Sequence, residues 1–215
     1  MFYDLFTHKL MPAVTFKKEG DVLPVTEAFL KGGLSVMEVT FRTEIAPKAI
    51  EMIRKQFPEI RVGAGTLLSA EQIHIAMNAG AFFGVAPGLN TRVVQFAAEK
   101  AFPFIPGIIT PSELENALAL DCRVLKLFPC DLAGGTSLVK ALQSPYAHTG
   151  VKFIPMGGIN LSNLHEYTGL DMVLAAGGSW MAPGKMIAQK DYSLIQETVK
   201  NSVAVTMTRA ANCYH

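Results

Sequence analysis

The chain has 215 residues, of which half are hydrophobic and 17% charged, with a formal net charge of +1. This composition excludes a disordered chain and is ample for a buried core. A balance so near neutrality gives no field that would recruit nucleic acid or a membrane surface, so no nucleic-acid or membrane partner is expected and any anion site must be local. Three cysteines, Cys122, Cys130 and Cys213, lack a CxxC spacing. They argue against a disulfide framework or a structural zinc site, and reduced thiols with a cytoplasmic location are expected. The N-terminal MFYDLFTHKLMPAV carries Asp4 early and has no long apolar run, so it does not read as a signal peptide. No uninterrupted apolar stretch is long enough to span a bilayer.

In chain order, short β-branched or aromatic runs alternate with helix-compatible stretches. The strand candidates are MPAVTF (11–16), SVMEVTF (35–41), IRVGAGTLL (60–68), AFFGVAPG (81–88), FPFIPGII (102–109), RVLKLFP (123–129), KFIPMGGI (152–159) and DMVLAAGG (171–178). Between them lie helix candidates at 22–31, 46–56, 70–79, 92–100, 111–119, 137–143 and 162–167, and a last helix covers 192–206. Eight strand–helix units predict an α/β chain, a (β/α)8 TIM barrel forming one domain over 1–215 with a short N-terminal helix. A doubly wound open sheet shows the same alternation and is the structural alternative. Ser69 reads as an N-cap, and Thr110-Pro111-Ser112-Glu113 as a helix start. Pro103, Pro106 and Pro155 fall inside strand candidates, where proline cannot donate to a ladder.

Side chains two apart on a strand share a face. Glu38 and Arg42 therefore lie on one side of the second strand with Val36 and Thr40, and Thr66 lies at the exit of the third with Val62 and Ala64. On the sixth, Lys126 shares a face with Val124 and Phe128, while Leu125 and Leu127 point the other way. An ammonium inside so apolar a strand is penalised unless it finds a partner. Two readings follow. Lys126 forms a buried structural ion pair with Glu38 or reaches out to solvent, or it is a nucleophile kept among apolar walls for a carbonyl substrate. The convergence of Glu38, Arg42 and Thr66 favours the second.

Gly157-Gly158 and Gly177-Gly178-Ser179 follow the seventh and eighth strands. These are the usual exits for phosphate binding in a barrel, although glycine pairs also serve plain turns. The histidines His8, His74, His148, His165 and His215 are scattered without metal-ligand spacing, so no metal and no cofactor is expected. Cys130 reads as a small apolar residue rather than a reactive thiol. Trp180 could pack under its loop or line a subunit contact.

The runs GGLSVMEVTFRT, VGAGTLL, GVAPGLN, FIPGIITPSEL, LKLFP, GGI and GGSW, in this order, resemble the bacterial class I aldolases acting on 2-keto-3-deoxy-6-phosphogluconate and 4-hydroxy-2-oxoglutarate. The resemblance implies a (β/α)8 homotrimer with a small keto-acid substrate and Schiff-base chemistry. It assigns Lys126 as the Schiff-base lysine and Glu38 as the general acid/base. It assigns Arg42 and Thr66 to the substrate carboxylate, Pro87 and Phe128 to the pocket wall, and Gly157, Gly158, Gly178 and Ser179 to phosphate. Two departures stand out. Met156 occupies the place of the family's threonine in P-T-G-G, on the substrate side of the pocket, and FPCDLAGG replaces an FPAE-type continuation. These bear on the substrate rather than the chemistry. A related phosphogalactonate aldolase and a non-catalytic phosphometabolite-binding barrel are the alternatives. A metal-dependent sugar-phosphate isomerase or epimerase would want histidines at strand ends.

Overall fold

The computed structural model describes residues 2–207, so Cys213 and His215 lie outside the described residues. The chain is an α/β fold of parallel strands with helices between them. A short helix α1 (Phe2–Leu5) precedes β1 (Leu10–Val14), α2 (Val22–Lys31), β2 (Val36–Thr40), α3 (Ala46–Gln56), β3 (Arg61–Gly65), α4 (Ala70–Asn78), β4 (Gly84–Val85) and α5 (Thr91–Glu99). Then come β5 (Phe104–Ile105), β6 (Gly107–Ile108), α6 (Pro111–Ala119), β7 (Val124–Leu127), α7 (Gly135–Tyr146), β8 (Lys152–Pro155), α8 (Leu164–Thr168), β9 (Ala176–Gly178), α9 (Gly184–Ala188) and α10 (Tyr192–Met207). No described helix is long and apolar enough to cross a membrane.

All pairings are parallel, in a six-stranded sheet of order β5-β4-β3-β2-β1-β9 and a three-stranded sheet of order β6-β7-β8. The order runs through the sequence without the reversal that defines a doubly wound sheet, and the last strand lies beside the first. Single bridges, Phe153 to Val173 and Met156 to Gly177, join the β8 and β9 segments.

The strands differ from expectation where proline dictates it. The fifth candidate is split into β5 and β6 at Pro106, which has no N–H to donate, and β8 ends at Pro155. Helix α9 was not expected from the sequence; at five residues it is too short to show a periodic apolar stripe. β1, β2 and β7 are buried along their whole length, and the faces of α2 and α3 that cover the sheets bury Val25, Phe29, Ile50 and Ile53. Helix starts follow local chemistry. Ser69 Oγ accepts from Gln72 N at 3.2 Å, and Asn90 Oδ1 accepts from Arg92 N at 3.1 Å.

At α6 the cap is reciprocal. Thr110 Oγ1 accepts from Glu113 N at 3.3 Å, and Glu113 accepts from the backbone N–H groups of Ile109 and Thr110 at 2.8 and 2.9 Å. Burial pushes the Glu113 carboxyl up, but these backbone bonds and one from the Thr110 hydroxyl outweigh it, and its pKa is lowered. Thr110→Ala is expected to cost about 1 kcal/mol in urea unfolding at neutral pH. The Glu113 contribution is present above its unfolded pKa and is lost as pH falls through the lowered folded value, so the deficit should shrink in acid. A deficit that is absent at neutral pH would show that the cap is not part of the stability of this edge.

Candidate active site

Every strand ends on the same side of the parallel sheets, and the residues singled out in the sequence sit at or near those ends. Eleven of them line one cavity of about 370 Å³: Glu38, Arg42, Thr66, Pro87, Lys126, Phe128, Met156, Gly157, Gly158, Gly178 and Ser179. Ala13 and Ile159 complete the lining. Ala13 was not legible, since β1 is buried at all five positions and shows no alternation that would pick out one face.

Lys126 and Glu38 meet in the interior. The Lys126 side chain is 8% exposed and that of Glu38 1%, with Nζ and Oε2 4.0 Å apart. That separation is too long for a hydrogen bond. Glu38 Oε2 is buried and has no hydrogen-bonding partner among the described residues. The two charges attract each other without being committed to each other, so each can engage a third group placed between them. This is not the satisfied ion pair that a purely structural role would call for. Strand register explains the approach. Glu38 lies opposite Gly63 and Ala13 on the neighbouring strands, and Lys126 lies opposite Gly107 and Ile154. Small residues beside each functional one leave room for it. At Gly65 a Cβ would fall inside the Glu38 carboxylate, so only glycine fits there.

Around this pair the walls are specialised. The Phe128 ring lies 5.3 Å from Lys126 Nζ, within cation–π reach. Thr66 sits at φ 61°, a left-handed conformation that is costly for a β-branched residue. The strain places it at the cavity rather than in continuation of β3. Arg42 is exposed at the exit of β2 and makes no ion pair among the described residues, leaving its guanidinium available for a carboxylate. The Thr40 hydroxyl, between Glu38 and Arg42, is taken by Thr15 at 2.7 Å.

At the far end, Gly157 and Gly158 have φ of 88° and 87°, which favours glycine at both positions. Met156 is 3% exposed. A Cβ on Gly177 would meet its Cε at 2.6 Å, so the methionine lies directly against β9. Trp180 donates from Nε1 to Ser202 Oγ on α10 at 3.1 Å, and a Cβ on Gly178 would meet its ring at 2.8 Å. Cys130 is buried with its thiol pushed up to about 12, mainly by burial and further by Asp131, which suits packing rather than nucleophilic work. His74 and His165 lie on α4 and α8, away from the cavity lining.

The chain was compared with known proteins. The profile of the family described as KDPG and KHG aldolase matches residues 4–198. The 2-dehydro-3-deoxy-phosphogluconate aldolase of Treponema pallidum is 46% identical over 187 residues, 87% of this chain and 88% of that protein. The KHG/KDPG aldolase of Escherichia coli is 38% identical, covering 93% and 92%. Among solved structures, KDPG aldolase from Legionella pneumophila, with pyruvate captured at low pH as a covalent carbinolamine intermediate, superposes with a TM-score of 0.89. It is 36% identical and the match covers 93% of this chain and 97% of that one.

The Gly65–Glu38 contact can be tested by a double-mutant cycle. Gly65→Ala should cost about 1–3 kcal/mol in the parent chain, the usual range for overpacking. It should cost far less in a Glu38→Ala background, where the added Cβ has room. Equal costs in both backgrounds would show that the conflict lies elsewhere.

Proposed function

The chain belongs to the KDPG and KHG aldolase family, and from that premise we propose that it is a Schiff-base aldolase cleaving 2-keto-3-deoxy-6-phosphogluconate to pyruvate and glyceraldehyde 3-phosphate. The observation that carries the site assignment is the buried, uncommitted Lys126–Glu38 pair at 4.0 Å.

In the proposed reaction the neutral amine of Lys126 attacks the C2 ketone. The carbinolamine loses water to give an iminium, which is the electron sink. Glu38 removes the C4 hydroxyl proton, the C3–C4 bond breaks, and its electron pair enters the iminium as an enamine. Glyceraldehyde 3-phosphate departs. Glu38 returns the proton to C3, and water hydrolyses the resulting iminium to release pyruvate and restore Lys126. Arg42 and Thr66 hold the keto-acid carboxylate and so fix C2 against Nζ. Pro87, Phe128 and Met156 form the pocket wall. The turns at Gly157-Gly158 and Gly178-Ser179 take the phosphate through backbone N–H groups. Cleavage of the smaller 4-hydroxy-2-oxoglutarate to pyruvate and glyoxylate is a second activity of the same site, favoured by the apolar bulk of Met156.

We read residues 1–215 as one domain and the two sheets as a single (β/α)8 barrel. Support comes from the β1–β9 pairing, the bridges between the β8 and β9 segments, and β5 and β6 being one strand interrupted at Pro106. A homotrimer follows from the family resemblance. It would cover exposed apolar residues such as Leu68, at 56%, and Ile75, at 38%. Free Cys122 and Cys130 suit a cytoplasmic enzyme.

Incubation with pyruvate followed by borohydride should add one reduced pyruvate adduct at Lys126, read by peptide mass. Lys126→Ala should give none while remaining folded, and an adduct at Lys140 or Lys152 would overturn the assignment. Glu38→Gln should retain at least part of the adduct while cleavage falls by roughly 10²–10⁴-fold.

The phosphate turns are tested separately. Ser179→Leu should lower kcat/KM for the phosphorylated substrate far more than for 4-hydroxy-2-oxoglutarate and leave pyruvate trapping nearly intact. An equal loss on both substrates would reduce the glycines to plain turns.

A further inference from the structure

The Gly157–Gly158 turn is held from three sides, and the way it is held decides where its N–H groups point. On one side stands the segment that follows β7. A Cβ on Gly157 would meet the Phe128 ring at 3.1 Å and Pro129 Cα at 3.2 Å. A Cβ on Gly158 would collide with Asp131, meeting its Cγ and Oδ2 at 2.8 Å. The same segment extends the β7–β8 ladder beyond both strands. Cys130 N donates to Met156 O at 2.8 Å and Asp131 N donates to Gly157 O at 3.0 Å. On a second side, Asn163 Nδ2 and Asn160 Nδ2 donate to Gly158 O at 3.2 and 3.4 Å. On the third, the Tyr167 hydroxyl, from α8, donates to Asp131 Oδ1 at 3.2 Å.

In a trans peptide the C=O and the following N–H point in opposite directions. Tying Gly157 O to Asp131 therefore turns the Gly158 N–H the other way, and tying Gly158 O to the two asparagines does the same for the Ile159 N–H. Neither N–H has a hydrogen-bond acceptor among the described residues, and both residues line the cavity. Two unpaired N–H groups in succession on one turn form a concavity for an anion.

Asp131 is itself exposed, and a side chain free to swing would no longer pack against Gly158 and hold the turn. Tyr167 is what fixes it. The ring is 2% exposed, and its hydroxyl reaches Asp131 Oδ1 at 3.2 Å. Burial raises the Tyr167 phenol, with Cys130 and Asp131 adding to the effect, so it remains a donor throughout the neutral range.

We propose that Tyr167 and Asp131 are positioning residues. Tyr167 braces Asp131, and Asp131 orients the Gly157–Gly158 turn so that the N–H groups of Gly158 and Ile159 bind the distal phosphate of the substrate. This rests on the aldolase reading above and extends it to two residues outside the cavity lining and to Ile159 N–H as a donor.

The test uses the full chain, with inorganic phosphate as a competitive inhibitor and both substrates. Tyr167→Phe removes one hydroxyl. It should raise the phosphate Ki and the KM for 2-keto-3-deoxy-6-phosphogluconate about tenfold, the worth of one hydrogen bond to a charged group. The kcat, the KM for 4-hydroxy-2-oxoglutarate and pyruvate trapping at Lys126 should be unchanged. Asp131→Ala, at an exposed position, should reproduce the effect if Tyr167→Phe folds poorly. Asp131→Asn keeps a side-chain oxygen for Tyr167 and the bulk that packs against Gly158, both of which Asp131→Ala removes, and it should give parent-like Ki and KM. Equal KM rises on both substrates, or a loss of stability with unchanged phosphate Ki, would overturn the proposal. If the parent itself neither cleaves the phosphorylated substrate nor traps pyruvate, the aldolase reading fails instead.

Discussion

Burying an ammonium and a carboxylate together is the constraint on which the rest of this structure depends. Each costs several kcal/mol to remove from water unless it is compensated. At 4.0 Å the compensation between Lys126 and Glu38 is partial, and Glu38 Oε2 has no other partner among the described residues. Such an arrangement persists only when the surroundings over-determine it. Glu38 is confined by β1 and β3 on either side and fits only because residue 65 lacks a Cβ. Lys126 is fixed between β6 and β8 in a strand buried at every position. The packed sheets thus hold two under-compensated charges in one cavity, and part of the folding free energy is spent on keeping them so.

The same strands tie the chemistry to recognition. β7 carries Lys126, and within five residues its exit reaches Asp131 after passing Phe128 beside the ammonium. The segment from Phe128 to Asp131 lies against the glycine turn that follows β8. The Lys126 nitrogen and the far end of the cavity are therefore two ends of one rigid span, not two loops that must find each other. For a substrate long enough to touch both, binding at the far end fixes the register of its reacting carbons.

Much of this was legible in the sequence, for identifiable reasons. The alternation of apolar runs and helical stretches placed α2, α3 and α6 at their observed bounds; proline marks the starts of α3 and α6, and the Thr110 cap that of α6. Lys126 and Glu38 stood out because a charge inside an apolar strand is physically anomalous, and Arg42 because it follows on the same face as Glu38 at the strand exit. Other features carried no such mark. The break at Pro106 was visible only as a conflict with strand pairing. Thr66 could be placed at a strand end, but its left-handed backbone is a tertiary result. Tyr167 and Asp131 gave no signal, since an exposed aspartate and a tyrosine on a five-residue helix are unremarkable until a contact across 36 positions joins them.

Charge is distributed unequally along the cavity, and in the proposed reaction this would set which way round a substrate anionic at both ends lies. The lining residues include two cations, Lys126 and Arg42, both toward the exits of β2 and β7, and none among the glycine turns. A carboxylate beside Arg42 gains a charge-assisted, directional contact. A phosphate at the turns gains only backbone dipoles, which depend strongly on being aimed. Inverting the substrate would put the phosphate at Arg42 but leave the ketone away from Lys126, so inversion forfeits the reaction. On the proposed reading the dipolar end would work only when its N–H groups face inward, and its selectivity would then reside in residues that hold the turn rather than in residues that touch the ligand. Met156 follows the same logic. Packed against Gly177 and carrying no donor, it offers a substrate hydroxyl nothing to bind, and discrimination at that end falls to the geometry of the backbone.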